Sequence, residues 1–288
     1  MARVSLPAFL FCCIIGLRIL SMTALTKDNE DHEIKALILD MDGVLWRGTE
    51  PIGDLPAIFS RISQSGFRTV FATNNATRTV MEYVRIFRTF EVEIHTQQVV
   101  TSGIATGLYL RRCYKGENEI FIIGESGLVK TLASFGFIHG TRNPKAVVVG
   151  LDRNMTYEDL RIASKLINAG CEFIGTNPDP TLPTPDGAIP GTGAILAAVN
   201  TATGVKPRIM GKPYPELFLI ALERLGTKPE ETLVVGDRIE TDIAGGIAVN
   251  CPTALVLSGV TTMEQASASP YSPDFVSNDL ASLLDEIT

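Results

Sequence analysis

The chain has 288 residues, of which 45% are hydrophobic and 20% are charged, a composition typical of packed globular proteins rather than disordered ones. Its formal net charge of −7 provides no basic field for nucleic acid, so we expect no nucleic-acid partner. A small phosphate ester needs only a local positive site and is compatible with this charge. The five cysteines are odd in number and lack zinc-ligand spacing, which predicts free thiols in the cytoplasm.

The first 21 residues are apolar, but they contain Pro7 and Arg18 and are short for a transmembrane helix. We expect translation to begin at Met22 and residues 1–33 to be an N-terminal extension outside the fold. A signal segment or membrane anchor is one alternative, and a structured terminal element is another. Cytoplasmic localisation is therefore expected, with export or anchoring as the alternative.

From Ile34 onward, strand and helix patterns alternate. The stretch "KALILD" is a continuous apolar run typical of a strand covered on both faces, and "LPAIFSRISQSG" has apolar residues at helical spacing. "RTVFATNN" predicts a second strand, and "TVMEYVRIFRTF" predicts a second helix. This order predicts parallel pairing in an open, doubly wound α/β sheet.

The middle of the chain repeats the alternation, with predicted strands in "EIFIIG" and "KAVVVGL". "CEFIGTNPDPTLPTPDGAIPG" predicts a strand followed by a proline-rich loop. The last third returns to strands and helices in "PYPELFLIALERLG", "TLVVGDR" and "PTALVLSG". We therefore expect a core formed by residues 34–79 and 206–288, with an α/β domain inserted at 80–205.

Three predicted strands end in polar residues, in "LDMDG", "ATNN" and "VGDR". Ligands of open parallel sheets bind at the carboxyl ends of the strands, so these residues converge although they are far apart in sequence. "MGKP" adds a lysine just before a predicted helix. The assembled set is Asp40, Asp42, Thr73, Asn74, Lys212, Asp237 and Asp242.

This set predicts phosphoryl transfer. Mg²⁺ prefers carboxylate ligands and a substrate phosphate, and Asp40 and Asp237 offer such ligands. Lys212 and the Thr73 hydroxyl offer donors to phosphate oxygens, and Lys212 neutralises charge on them. The set contains no serine–histidine pair, which makes a carboxylate the expected nucleophile. We assign Asp40 as nucleophile and Asp42 as general acid and then base.

The same motifs resemble those of the haloacid dehalogenase-like hydrolases, with "DMDGVLW", "TNN", "GKP" and "GDRIETD" in the family's order. The long gap between Thr73 and Lys212 resembles members with a large C2-type α/β cap. "GTNPDPTLPT" is similar to the substrate loop of subfamily IIA, which includes 4-nitrophenylphosphatases and phosphoglycolate phosphatases. The resemblance implies a Rossmann-like core with an inserted cap, and a Mg²⁺-dependent phosphatase.

The resemblance also implies a ligand set. Mg²⁺ would be bound by the Asp40 carboxylate, the backbone carbonyl of Asp42 and Asp237, with Asp242 supporting the metal site. In the loop from Asn177 to Pro190, Asn177 and Asp179 are expected to contact the leaving group. The alternative is that this loop is only a proline-stiffened surface segment.

The expected partner is a small phosphorylated metabolite, and we expect no membrane partner. The cap also offers a surface for a homodimer. Three other functions remain open from the residues. They are a receiver-like signalling module phosphorylated on an aspartate, an inactive binding protein with the same fold, and a phosphomutase.

Overall fold

The structure, a computed structural model, describes residues 33–184 and 187–288. The predicted start at Met22 and all of the N-terminal extension except Glu33 lie outside the described residues. The strands are β1 (Ala36–Leu39), β2 (Trp46–Arg47), β3 (Glu50–Pro51), β4 (Arg68–Thr73), β5 (Val99–Thr101), β6 (Glu119–Ile123), β7 (Ile138–His139), β8 (Ala146–Val149), β9 (Glu172–Gly175), β10 (Thr181–Thr184), β11 (Gly187–Pro190), β12 (Arg208–Ile209), β13 (Thr232–Gly236), β14 (Thr253–Val256) and β15 (Phe275–Ser277). The α-helices are α1 (Leu55–Gln64), α2 (Val80–Thr89), α3 (Ser102–Cys113), α4 (Ser126–Ser134), α5 (Tyr157–Asn168), α6 (Thr192–Thr203), α7 (Pro215–Leu225), α8 (Ala244–Ala248), α9 (Met263–Ala268) and α10 (Leu280–Ile287).

The larger sheet is parallel and has the strand order β15–β14–β13–β1–β4–β5. Strand β1 is central: Ile38 pairs with Val234 on one side and with Val70 on the other. All four residues of β1 are buried, which confirms the prediction of a strand covered on both faces. The doubly wound α/β class is thereby confirmed.

The chain leaves β1 toward β4 and β5 and returns on the opposite side with β13, β14 and β15. The direction of winding therefore reverses between β1 and β13. A reversal of this kind opens a crevice at the carboxyl ends of the strands, where ligands of open α/β sheets bind. Asp40 and Asp237, which follow these two strands, lie at the crevice.

The second sheet is also parallel, with the order β12–β9–β8–β6–β7. It is an inserted α/β cap, because its strands lie between β5 and β13 in the chain. Strand β8 is fully buried at its centre, and α5 and α6 pack together beside it. Two parallel sheets, one of them inserted, are the architecture that the sequence predicted.

The boundaries of the two parts differ from the predicted ones. Helix α2 precedes β5, and Val99–Thr101 pairs with Phe71–Thr73, so the core sheet continues to residue 101 instead of ending at 79. At the other end, Arg208 pairs with Ile174, so the cap sheet extends past residue 205. Sequence pattern does not reveal which sheet a short strand joins, because both sheets are parallel and apolar.

The proline-rich segment after β9 is not an irregular loop. Strands β10 and β11 form an antiparallel pair in which Pro183 lies opposite Ala188. A two-stranded ribbon has two free edges, so a proline without an N–H group is tolerated there. The ribbon leads into α6 through a turn in which the Gly191 N–H donates to the Pro180 carbonyl oxygen over 2.8 Å.

The two faces of the core sheet are packed by different helices. On one face, Ala36 and Ile38 belong to a cluster with Leu217 and Phe218 of α7. On the other, Leu37 and Leu39 pack in a cluster that includes helices α1, α2 and α10. This burial holds the strand ends in place. No helix in the described residues has the length and hydrophobicity needed to cross a membrane.

Candidate active site

Three carboxylates meet at the crevice between β1 and β13. Asp40 follows β1, Asp237 follows β13, and Asp242 belongs to the turn of π-helix at Ile239–Ile243 that leads into α8. Each contributes one oxygen to a group in which all the oxygens lie within 4.8 Å of one another. Asp237 and Asp242 are buried, and Asp40 is 9% exposed. The convergence that the strand-end pattern predicted is therefore present.

Lys212 inserts its ammonium between two of these carboxylates. Its Nζ lies 2.5 Å from Oδ1 of Asp40 and 2.6 Å from Oδ1 of Asp242, and it donates to the Ala72 carbonyl oxygen over 2.9 Å. These three bonds use all the donors of an ammonium group. Lys212 is 3% exposed, so the bonds form in a medium that screens charge weakly.

The buried charges shift one another's pKa values. Burial raises the pKa of Asp40 well above its usual range, and the nearby charges of Asp242 and Asp237 raise it further, while Lys212 opposes the rise. Burial alone would lower the pKa of Lys212, but Asp242 and Asp40 outweigh burial and raise it. Lys212 is therefore a permanent cation. Burial, followed by the charge of Asp242, raises the pKa of Asp237 to about 6.

Two glycines enclose the carboxylate of Asp237. A Cβ atom at Gly43 would lie 2.4 Å from Oδ2 of Asp237, and one at Gly259 would lie 2.0 Å from it, so neither position accepts a side chain. Gly43 also has a φ angle of 91°, which favours glycine. The same Oδ2 accepts a hydrogen bond of 2.7 Å from the Val260 N–H. The orientation of this carboxylate is therefore fixed by main chain on two sides.

The donor set fits a divalent cation. Its three carboxylates offer hard oxygen ligands of the kind that Mg²⁺ takes. A single ammonium, that of Lys212, does not balance their charge, and a cation would relieve the repulsion that raises the pKa of Asp40 and Asp237. Asp242 is the most occupied of the three, because its other oxygen accepts from the Arg238 N–H over 3.1 Å. This occupation suits the supporting role predicted for Asp242.

Asp42 lies apart from this cluster, and its surface is open to solvent. Its Oδ1 accepts a hydrogen bond of 3.1 Å from the indole N–H of Trp46. Reduced hydration by the surrounding protein raises the pKa of Asp42 above its usual range, and the Trp46 bond opposes this rise. Trp46 itself is buried and stacks on Phe90. The side chain of Asp42 therefore does not join the carboxylate cluster, and metal binding through its backbone carbonyl stays a prediction.

Thr73 and Asn74 stand at the end of β4. Thr73 is buried, and its hydroxyl oxygen accepts from the Asn75 N–H over 3.1 Å. The Asn74 side chain instead holds the main chain of Lys212. Its Oδ1 accepts from the Lys212 N–H over 2.7 Å, and its Nδ2 donates to the Lys212 carbonyl oxygen over 3.0 Å. The structure thus gives Asn74 a positioning role, and its predicted contact with substrate stays a prediction.

The cap brings Asn177 and Asp179 to the same edge. Oδ2 of Asp179 accepts from Nδ2 of Asn74 over 3.0 Å and from Nδ2 of Asn177 over 2.6 Å. The Asn177 side chain is buried and also accepts from the Thr176 hydroxyl over 2.9 Å. The two predicted loop residues thus lie next to Asn74 of the core. The hydrogen bond from Asn177 helps to fix the orientation of the Asp179 carboxylate.

Sequence reasoning missed two residues of this region. Arg238 directly follows Asp237, and its NH1 lies 4.0 Å from Oδ1 of Asp179. Ser258 follows β14, and its hydroxyl donates to the Gly43 carbonyl oxygen over 2.7 Å. The strand-end argument that found Asp40 and Asp237 applies equally to β14, so "VLSG" carried a usable signal for Ser258.

The sequence matches two family models that share this class of fold and site. A model of haloacid dehalogenase-like hydrolases matches residues 37–138, and an HAD-hydrolase-like model matches residues 209–283. Together they cover the strands that carry Asp40, Thr73 and Asp237. With the relatives described next, these matches show that the chain belongs to the haloacid dehalogenase-like hydrolases.

Similar proteins narrow the class to phosphatases. An acid sugar phosphatase of Staphylococcus aureus strain USA300 is 35% identical over 256 residues, 88% of this chain and 98% of that protein. The structure of a 4-nitrophenylphosphatase from Thermotoga maritima has a TM-score of 0.84 and 34% identity, over 88% of this chain and 98% of that one. A glycerol phosphate phosphatase from Mycobacterium tuberculosis, solved with calcium, has a TM-score of 0.79 and 36% identity, over 86% of this chain and 74% of that one. The chain is therefore a phosphatase of small phosphate monoesters.

Proposed function

We propose that the phosphatase reaction depends on Mg²⁺ and passes through an aspartyl-phosphate on Asp40, with Asp42 as general acid and then general base. The observation that carries the proposal is the position of Asp40 in the crevice. Its Oδ1 is bonded to Lys212 at 2.5 Å, and its carboxylate stands beside that of Asp237. A carboxylate held there, beside an ammonium that favours its ionised form, is a suitable nucleophile.

The environment of Asp42 supports its role as the acid. Its raised pKa favours the protonated form, and its exposed side chain is accessible to a substrate. The Trp46 indole holds the carboxyl in one orientation. A general acid needs both a suitable pKa and reach to the leaving oxygen.

The reaction then has two steps. In the first, an oxygen of Asp40 attacks phosphorus, the bond from phosphorus to the ester oxygen breaks, and the departing oxygen takes the proton of Asp42. In the second, Asp42 takes a proton from water, the water oxygen attacks phosphorus, and the bond between phosphorus and Asp40 breaks. Inorganic phosphate leaves, and Asp40 and Asp42 return to their starting states.

Other residues of the chain stabilise charge on the transferred group. Lys212 provides a fixed positive charge next to Asp40, and the Thr73 hydroxyl provides a donor. Bound Mg²⁺, held by Asp40 and Asp237 with support from Asp242 and the Asp42 carbonyl, would neutralise charge on the phosphoryl oxygens. The named activities of the relatives, on sugar phosphate, 4-nitrophenyl phosphate and glycerol phosphate, support small organic leaving groups.

The direct test is Asp40→Asn. The variant keeps the side-chain volume but removes the nucleophilic charge, so phosphate release from 4-nitrophenyl phosphate should fall by about a thousandfold or more. Rapid acid quench after mixing with a phosphorus-labelled ester should trap labelled protein in the wild type and none in the variant. Circular dichroism should show that the variant is folded.

Asp285→Asn is the matched control, because Asp285 is exposed and pairs with Arg61 at the surface. It should keep wild-type turnover and labelling. Substantial turnover by Asp40→Asn would overturn the assignment of the nucleophile. A labelled wild-type protein that does not release phosphate would indicate a receiver-like module instead. The homodimer through the cap stays a prediction, which analytical ultracentrifugation tests.

A further inference from the structure

Ser258, just after β14, makes two hydrogen bonds to the segment that follows β1. Its hydroxyl donates to the Gly43 carbonyl oxygen over 2.7 Å, and its own carbonyl oxygen accepts from Nε of Arg47 over 2.6 Å. The side chain of Ser258 is buried, and the bond from Arg47 is strengthened by the charge of the guanidinium. One residue after β14 therefore contacts both ends of the turn from Gly43 to Arg47.

Both bonds lead to Asp42, the proposed general acid. Gly43 directly follows Asp42, and its N–H donates to the Trp46 carbonyl oxygen over 2.8 Å. Trp46 directly precedes Arg47, and its indole N–H donates to Oδ1 of Asp42 over 3.1 Å. These contacts form a closed ring that consists of Asp42, Gly43, Trp46, Arg47 and Ser258. Ser258 is the one member of this ring that comes from a distant part of the chain.

The position of Ser258 is itself fixed by its neighbours in the chain. The Val260 N–H donates to Oδ2 of Asp237 over 2.7 Å, at the centre of the carboxylate cluster. The Leu257 N–H donates to the Ser277 carbonyl oxygen over 3.0 Å, which joins the end of β14 to β15. Ser258 therefore has a defined main-chain position from which it can hold the ring in place.

A cavity of about 450 Å³ lies between the β2–β3 ribbon and the ends of β14 and β15. Its lining includes Arg47 and Glu50 of the ribbon on one side, and Leu257 and Asn278 on the other. Groups that are separated by open space gain little van der Waals attraction, so packing contributes little to the position of the ribbon here. The two hydrogen bonds of Ser258 connect the ribbon to β14 across this gap.

We propose that Ser258 and Arg47 position Asp42 so that its carboxyl group reaches the leaving oxygen. This inference rests on the proposed function, because it takes Asp42 as the general acid. Both residues act through Asp42 and not on the substrate, so they are positioning residues. Placement matters because proton transfer requires a distance of about 2.6 to 3.2 Å between the two heavy atoms.

A displaced acid slows some esters more than others. A strongly basic leaving oxygen departs slowly without a proton, whereas 4-nitrophenolate is stabilised by its nitro group and departs more readily without one. The esters 4-methylphenyl phosphate and 4-nitrophenyl phosphate have leaving groups of similar size and different basicity. Their comparison therefore separates the contribution of the acid from a general loss of structure. The constant to compare is kcat/KM, because it covers the steps through release of the phenol.

Two variants remove the two hydrogen bonds separately. In Ser258→Ala and in Arg47→Gln, kcat/KM for 4-methylphenyl phosphate should fall by about 10- to 100-fold, while that for 4-nitrophenyl phosphate should fall by less than about threefold. Ser258→Thr keeps a hydroxyl and should retain most of the activity on both esters. Arg47 is exposed, so Arg47→Gln carries the test if Ser258→Ala does not fold.

Asp42→Asn shows how large the difference becomes when the acid itself is removed. The loss for 4-methylphenyl phosphate should exceed the loss for 4-nitrophenyl phosphate by about 100-fold or more. Adding Arg47→Gln to Asp42→Asn should cause no further selective loss, because the group that Arg47 positions is already absent.

Two control variants change matched residues elsewhere. Ser134→Ala removes an exposed hydroxyl that also donates to a carbonyl oxygen, that of Thr131 on α4. Arg161→Gln changes an arginine that forms an exposed pair with Glu158 on α5. Both variants should keep the wild-type kcat/KM for both esters.

The outcomes separate this inference from the proposed function. A selective loss in Asp42→Asn, together with equal losses or no loss in Ser258→Ala and Arg47→Gln, would overturn the positioning role alone. Equal losses for the two esters in Asp42→Asn would overturn the general acid of the proposed function, and the positioning role with it.

Discussion

The side chain of Asn74 forms hydrogen bonds with both the N–H and the carbonyl oxygen of Lys212. The fit is close, because a Cβ atom at the neighbouring Gly211 would lie 2.4 Å from Oδ1 of Asn74. An asparagine at the end of one strand thus determines where a lysine 138 residues later begins its side chain. The position of the Lys212 ammonium against Asp40 follows from this main-chain contact.

Removing the Asn74 amide should therefore displace Lys212, although Asn74 itself does not take part in the proposed reaction. We expect Asn74→Ala to lower kcat/KM for 4-nitrophenyl phosphate by about 10- to 100-fold, since a small displacement of a catalytic group has an effect of this size. Steady-state kinetics with a thermal melt measure it. Asn154→Ala changes an exposed cap asparagine and should have no effect. Unchanged kcat/KM in Asn74→Ala would show that Lys212 is positioned by other contacts.

Lys212 itself should matter for both stability and turnover. Lys212→Met keeps the length of the side chain but leaves Asp40 and Asp242 without their cation. Breaking a buried ion pair in this way costs about 3 to 5 kcal/mol, and kcat/KM should fall together with stability. Urea unfolding and phosphate-release kinetics test both. The matched change Lys228→Met, at a side chain that is 74% exposed, should alter neither. Full activity in Lys212→Met would remove Lys212 from the mechanism.

The pKa of Asp237 predicts how the metal-free protein responds to pH. Burial raises this pKa from 3.8 in the unfolded chain to about 6 in the folded protein. The folded state therefore binds the proton more tightly, and the associated stability is complete below pH 3.8 and is lost as pH rises through 6. Asp237→Asn has no such loss. Relative to the wild type in EDTA, this variant should gain up to about 3 kcal/mol between pH 4 and pH 8.

Thermal melts of both proteins across that pH range measure the difference. Adding Mg²⁺ should raise the melting temperature of the wild type more than that of Asp237→Asn, because a ligand stabilises the state that binds it. Asp285→Asn should track the wild type at each pH. Parallel pH curves for the wild type and Asp237→Asn would contradict the assigned pKa.

The hydrogen bond from the Trp46 indole should influence the pKa of Asp42. This hydrogen bond lowers the pKa of Asp42, so Trp46→Phe should raise that pKa. Since Asp42 acts first in its protonated form, the alkaline limb of the kcat/KM profile should move to higher pH. Phe90→Leu removes a ring that stacks on Trp46 but keeps the hydrogen bond, so it should lower the melting temperature without moving the limb. An unmoved limb in Trp46→Phe would mean that another group controls it.

The central residues of the site could be predicted because the ends of buried strands are recognisable in the sequence. Apolar runs that end in Asp40, Thr73 and Asp237 identify parallel strands, and parallel strands place their ends together. Lys212 was found from its place before a helix. These predictions needed only local pattern and one rule of sheet geometry.

Contacts between core and cap were harder to predict. Nothing in the pattern around Asp179 shows that its carboxylate meets Asn74 and Arg238, because that contact depends on how the cap is placed over the core. The sheet to which the chain after residue 79 belongs was hard to predict for a related reason. Strand β5 has only three residues, and its membership in the core sheet is decided by its pairing with β4.

The insertion of the cap between β5 and β13 has a consequence for synthesis. A ribosome delivers strand β1 early, but its central neighbour β13 emerges only after the entire second sheet has been made. Until then Asp40 has neither Lys212 nor Asp237 beside it, so the nascent protein carries an isolated carboxylate at an unfinished edge. Activity during translation should consequently appear late and abruptly, when the final third of the chain closes the sheet around it.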